Sequence, residues 1–84
     1  MEPIIEKKIK LIWDFRGPVA QKTAEHYLKH LQEYVYHEEL KYDISGVQGY
    51  SEHHATVFLV VSEFELQQAK EDLRPHRGEW YVEH

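Results

Sequence analysis

Residues 55–61 read Ala-Thr-Val-Phe-Leu-Val-Val, apolar at every position but Thr56 and rich in β-branched side chains. A strand turns successive side chains to opposite faces, so a stretch without polar alternation is buried on both faces and belongs inside a sheet. The rest of the chain has to supply strands on either side of it. The clearest is Lys8–Arg16, which alternates with period two. Ile9, Leu11, Trp13 and Phe15 point one way, and Lys10, Ile12, Asp14 and Arg16 point the other.

Gly17-Pro18 then opens a helix, since proline is favoured at the first helical position, where an N–H would go unpaired. From Pro18 to about Leu40, the residues Ala20, Ala24, Tyr27, Leu28, Leu31, Tyr34 and Val35 form one stripe. Such a helix covers about 30 Å, enough to back a long strand. Tyr42–Tyr50 reads as a weaker strand, interrupted by Gly46 and Gly49, which predict a bulge or a close backbone approach. Ser51-Glu52-His53 is the expected turn. Ser62 as N-cap with Glu65 three residues on predicts a capping box at the second helix, and Val61 and Leu66 a hydrophobic staple. Leu66, Ala69 and Leu73 are that helix's buried stripe, Pro75 stops it, and a short strand, Glu79–Val82, follows Gly78.

Strand, helix, strand, strand, helix, strand with right-handed crossovers predicts an α+β, ferredoxin-like βαββαβ fold. Its four-stranded antiparallel sheet has the order 4-1-3-2, with two helices on one face. The 84 residues make a single domain, 1–84, with residues 1–6 read as a flexible lead-in and Glu83-His84 as a tag remnant or disordered end. The chain has no cysteine, which excludes disulfides, thiolate catalysis and Cys-based metal sites. A net charge of −5 argues against nucleic acid as a partner. The longest apolar run, Val57–Val61, is too short to span a membrane, and the charged opening residues lack a signal-peptide pattern, so a cytoplasmic location is expected. No cofactor is indicated.

With both helices on one sheet face, the other face carries Ile12, Phe58, Val60, Tyr81 and, on this phase assignment, Val47. That much apolar surface predicts a homodimer interface, unless Ile4 and Ile5 of the leading segment fold over it. The topology also gathers three connections at one end of the sheet: Trp13–Pro18, Ser51–His54 and Arg74–Gly78. They hold all three arginines, Arg16, Arg74 and Arg77, with His53, His54 and His76. A guanidinium fork suits carboxylate or phosphate, and the start of the first helix adds free N–H groups beside Gly17. An anion site there would use Arg16, Gly17, His53, His54, Arg74, His76 and Arg77. The competing reading has the arginines paired with Asp14, Glu52, Asp72 or Glu79 as loop ties.

Seven histidines are many for this length, and most read as solvated surface residues. On the first helix His26, His30, Glu33 and His37 follow one flank. His26 and His30 are weak metal candidates, because no third ligand is fixed and Tyr27 stands where a helical zinc hydrolase has glutamate; no metal site is assigned.

Arg16-Gly17 resembles the phosphate-binding arginine loop of acylphosphatases, without their wider glycine-rich loop or a matching asparagine on the second strand. RNA-recognition motifs share the topology, but Ile12 stands on the open face of the first strand, where an aromatic residue is usual, and Phe58 is alone on the third. Gly17-Pro18 reverses the order found in amino-acid-binding ACT domains. Ile12-Trp13-Asp14-Phe15-Arg16-Gly17-Pro18, with His26-Tyr27-Leu28-Lys29-His30-Leu31, resembles a small family of bacterial proteins with no assigned activity, which implies a bacterial cytosolic origin alone. The leading expectation is a homodimeric binding or interaction module for a small anion or an acidic protein segment, with no membrane or nucleic-acid partner. The alternatives are a small enzyme using Arg16, His54 and His76, with Asp14 as orienter or base, and a structural subunit of a larger assembly. Catalytic residues are not assigned.

Overall fold

A computed structural model of the chain describes residues 7–82. The expectations for residues 1–6, Ile4 and Ile5 included, and for Glu83-His84 lie outside the described residues. The elements run β1 (Lys8–Arg16), α1 (Ala20–His37), β2 (Ser45–Ser51), β3 (His54–Ser62), α2 (Leu66–Leu73) and β4 (Arg77–Trp80). All strand pairs are antiparallel, in the order β2-β3-β1-β4; counted from the β4 edge this is 4-1-3-2. The apolar strand β3 lies between β2 and β1, and Val57, Leu59, Val60 and Val61 are fully buried. The inward set of β1 meets Ala55, Val57, Leu59 and Val61 under both helices, in one cluster with Ala20, Ala24, Leu31, Val35 and Ala69.

Local chemistry sets boundaries that periodicity misses. Pro18 sits in the turn before α1, whose N-cap is Val19, without a side-chain cap. The helix ends at His37 instead of Leu40 because Glu39 adopts a left-handed φ of 50°. Leu40 then donates its N–H to Val35 (3.1 Å) and Glu39 to Tyr36 (3.4 Å), a Schellman closure with Leu40 packed against the core. The expected capping box is rearranged. Glu65 does reach back to the Ser62 N–H at 3.1 Å, but the Ser62 carbonyl accepts the Glu65 N–H in a turn, and α2 begins only at Leu66.

β2 starts at Ser45, not Tyr42, and its glycines mark a close approach and a bulge. A side chain at Gly46 would meet the Phe58 ring at 3.0 Å, and the ladder shifts register between Gly49 and Ser51. That bulge reverses the expected facing of Val47. Continued back from Ser51↔His54 without a bulge, the pairing would set Val47 against Phe58; with it Val47 pairs with Val57 and packs into the core. The last strand is Arg77–Trp80, two residues earlier than expected at each end.

The carbonyl of Leu73, in the last turn of α2, accepts two side-chain bonds: the Trp13 indole N–H at 3.0 Å and the Tyr27 hydroxyl at 3.3 Å. The two rings also meet, with centroids 5.4 Å apart. Burial pushes the Tyr27 hydroxyl's pKa up, so it remains a donor. Tyr27→Phe is therefore expected to cost about 1 kcal/mol, because Trp13 still satisfies the carbonyl. Trp13→Phe loses the shorter bond and core volume together, and about 2–3 kcal/mol is expected. Urea unfolding of both variants checks the order; equal losses would contradict it.

Candidate functional site

Asp14 gathers side chains from both neighbouring strands and the loop before β4. Its carboxylate lies on the sheet face away from the helices, where the register brings β3 and β4 alongside β1. Arg77 grips it with both arms of its fork, Nε to Oδ2 at 3.0 Å and Nη2 to Oδ1 at 3.2 Å. His54 Nε2 stands 3.1 Å from Oδ1. These hydrogen bonds, Arg77 first and His54 second, hold the Asp14 carboxyl below its usual range. An ionised carboxylate only accepts, so His54 presents N–H at Nε2 to it. Tyr50 stacks on the His54 ring, with centroids 5.0 Å apart. On the β4 side, the backbone N–H of Asp14 donates to His76 Nδ1 at 2.8 Å, and the His76 N–H to the Ile12 carbonyl at 3.0 Å. The His76 ring thus occupies the place of a strand carbonyl where β4 has not yet begun.

Of the residues expected to hold an anion, the fold gathers His54, His76 and Arg77 around Asp14, and sets Arg16 and Gly17 beside His54 and His53. Arg77's charge is matched by Asp14, which raises its pKa. The Gly17 N–H is donated to the His53 carbonyl at 2.8 Å, and the His53 N–H to Ser51 Oγ at 3.2 Å. Arg16 stands opposite His54 in the ladder, and Arg74, with a left-handed φ of 47°, caps the end of α2. The competing loop-tie reading describes Arg77 and Asp14 well. On α1 the rings of His26 and His30 meet edge to face at 5.1 Å, and His30 lies 3.8 Å from Glu33; among the described residues no three metal-ligating side chains converge.

The apolar face expected to mediate dimerisation is mostly covered. Ile12 and Val60 are buried, and Phe58 and Tyr81 are half-buried. Register explains this: Arg77 stands opposite Ile12, and Lys10 opposite Val60. Lys10 also lies over the Phe58 ring at 4.7 Å and pairs with Glu79 at 3.8 Å. Long charged side chains spread their stems over apolar neighbours and keep their heads in water.

Among the described residues, two of the exposed large hydrophobics, Trp80 and Val82, belong to β4 and its continuation. A groove of about 480 Å³ runs between α2 and β4, floored by Ile9, Leu11 and Gly78, walled by Leu66 and Trp80, and edged by Lys70. Trp80 is 67% exposed although it faces the helix layer, and Lys7 lies over its ring at 5.6 Å. The alternation of Glu79–Val82 puts Trp80 in a strand but gives no sign of its exposure. The available signal was the disparity of the helices: α1 has 18 residues and α2 only 8, too few to roof both β1 and β4.

The depressed pKa of Asp14 has a signed consequence. Its contribution to stability is complete above the unfolded-state pKa of about 3.9 and is lost as pH falls through the lower folded value. Asp14→Asn is therefore expected to be less stable than the native chain at neutral pH, with the difference shrinking as the pH falls below about 4. Urea midpoints across that range test it, and parallel curves would contradict it. No family model matches the chain, and neither a curated protein nor a solved structure does.

Proposed function

We propose that this chain is a small ferredoxin-like binding module that takes up an extended protein segment along β4, over the groove beside α2. The observation that carries the reading is Trp80, two-thirds exposed on the wall of an apolar groove and next to the outer edge of the sheet. An edge strand offers backbone N–H and C=O groups to an incoming strand, and pockets beside it select alternate side chains. Lys7 and Lys70 at the rim favour a segment that carries acidic residues beside its apolar ones. The module acts by binding and needs no cofactor; a cytoplasmic setting fits a chain without cysteine. No helix among the described residues is long and apolar enough to cross a membrane.

The test is an NMR titration with capped extended peptides of alternating valine and glutamate, with inorganic phosphate run in parallel. Saturable shifts at Ile9, Leu66, Gly78 and Trp80 are expected from the peptides, and phosphate is expected to leave these residues unmoved. Gly78→Val is expected to abolish the peptide shifts while the protein stays folded, because a side chain at this position fills the groove floor at ordinary contact distances. If neither peptide addition nor dilution of the protein moves these residues, the reading falls.

A further inference from the structure

The geometry points to a second copy of this chain as the occupant of the groove, joined through antiparallel β4 strands with Trp80 on the two-fold axis. This inference rests on the groove reading above and specifies its partner. Tyr81 donates its N–H to the Lys8 carbonyl at 3.0 Å. Bonds alternate along an antiparallel ladder, so Arg77 and Glu79 turn their backbone groups towards β1, and Gly78 and Trp80 turn theirs to the outer edge. At the opposite edge, β2 carries the bulge at Gly49–Ser51, a feature that discourages strand addition.

Symmetric registers can centre on Gly78, Glu79 or Trp80, among others, and side chains choose between these three. An axis at Glu79 sets two like charges directly opposite each other, which is destabilising. An axis at Gly78 sets Trp80 against the partner's His76 and leaves Val82 uncovered. An axis at Trp80 stacks the two indoles and sets each Val82 opposite the partner's Gly78. Trp80 and Val82 are 67% and 66% exposed, so this register covers both apolar side chains. It also fits a knob to a hole. Gly78 has no side chain, and a Cβ there would lie 3.8 Å from both Ile9 Cγ2 and Leu11 Cδ2. The partner's Val82 can thus reach the groove floor where glycine leaves it bare. The pairing is short, and isologous two-fold contacts of this kind repeat each interaction twice.

Sedimentation equilibrium on the full chain up to millimolar concentration tests the inference. The native protein is expected to approach twice the 10.1 kDa of one chain. Gly78→Val, which plugs the hole, and Val82→Gly, which removes the knob, are each expected to weaken dimerisation at least about tenfold. The double variant Gly78→Val/Val82→Gly exchanges knob and hole and is expected to recover to within about threefold of the native affinity. Circular dichroism on each variant confirms folding, and isotope-filtered contacts between Val82 methyls and Gly78 of the partner subunit fix the register in the native dimer. A native chain that stays monomeric overturns the inference, as does a double variant no better than either single. If the chain is monomeric but the valine–glutamate peptides still bind, only the identity of the occupant falls; if neither associates, the groove reading falls with it.

Discussion

The Leu73 carbonyl, with the Trp13 indole and the Tyr27 hydroxyl both donating to it, decides where α2 lies. A short helix has little apolar area of its own; Ala69 is its one buried side chain, with Leu66 and Leu73 partly so. Its position therefore comes from polar ties at both ends. At the C-terminal end, β1 and α1 share one carbonyl. Towards the N-terminal end, the Glu65 carboxylate accepts N–H groups from Ser62 at 3.1 Å and Lys41 at 2.8 Å. Tyr34 adds a bond to Asp72 at 2.7 Å, and its own pKa is raised by burial and then by that carboxylate. Most of these ties pull α2 towards α1 and the β2–β3 side. β4 is left without a roof, and the groove is the space that results.

Electrostatics closes the other face. The alternating side chains of β1 and β4 there put Lys10 beside Glu79 and Asp14 beside Arg77, and those pairs lie across Ile12, Val60 and Phe58. Exposed pairs of this kind add little to stability, but their aliphatic stems shield apolar surface that would otherwise promote association. The same guanidinium that looked free to hold an anion is committed to a carboxylate two positions along a neighbouring strand's register. On the proposed reading, association falls to a narrow edge, where backbone groups and two apolar side chains can act together.

Most of this architecture can be read from periodicity. The β1 alternation, the two-faced burial of β3 and the α1 stripe from Ala20 to Val35 follow from the hydrophobic pattern, because each segment buries enough area to enforce its phase. The topology even brings Arg77, His54 and His76 to one place, since they flank strands that pair with β1. What stays illegible depends on single residues. Nothing in Glu39 as a residue type announces a left-handed cap, and the glycines of β2 predict a bulge without showing that it turns Val47 inward, which needs the β2–β3 register. Asp14 could be read as an orienter of histidine or as one of four carboxylates able to tie the arginines, but choosing it for Arg77 needs the β1–β4 register. Trp80 alternates as a buried residue should, and is exposed because the helix above it is tied elsewhere.

The chain's two tryptophans allow the placement of α2 to be measured directly, by hydrogen exchange of their indole N–H groups in one NMR spectrum. Trp13 is 3% exposed and donates to Leu73, whereas Trp80 is 67% exposed beside the groove. In dilute solution the Trp13 indole is expected to exchange at least about a hundredfold more slowly than that of Trp80, and Tyr27→Phe is expected to speed it only modestly. Equal rates, or a slower Trp80, would mean that α2 is not held at Leu73 and that the groove is not open, and the account built on that placement would fail.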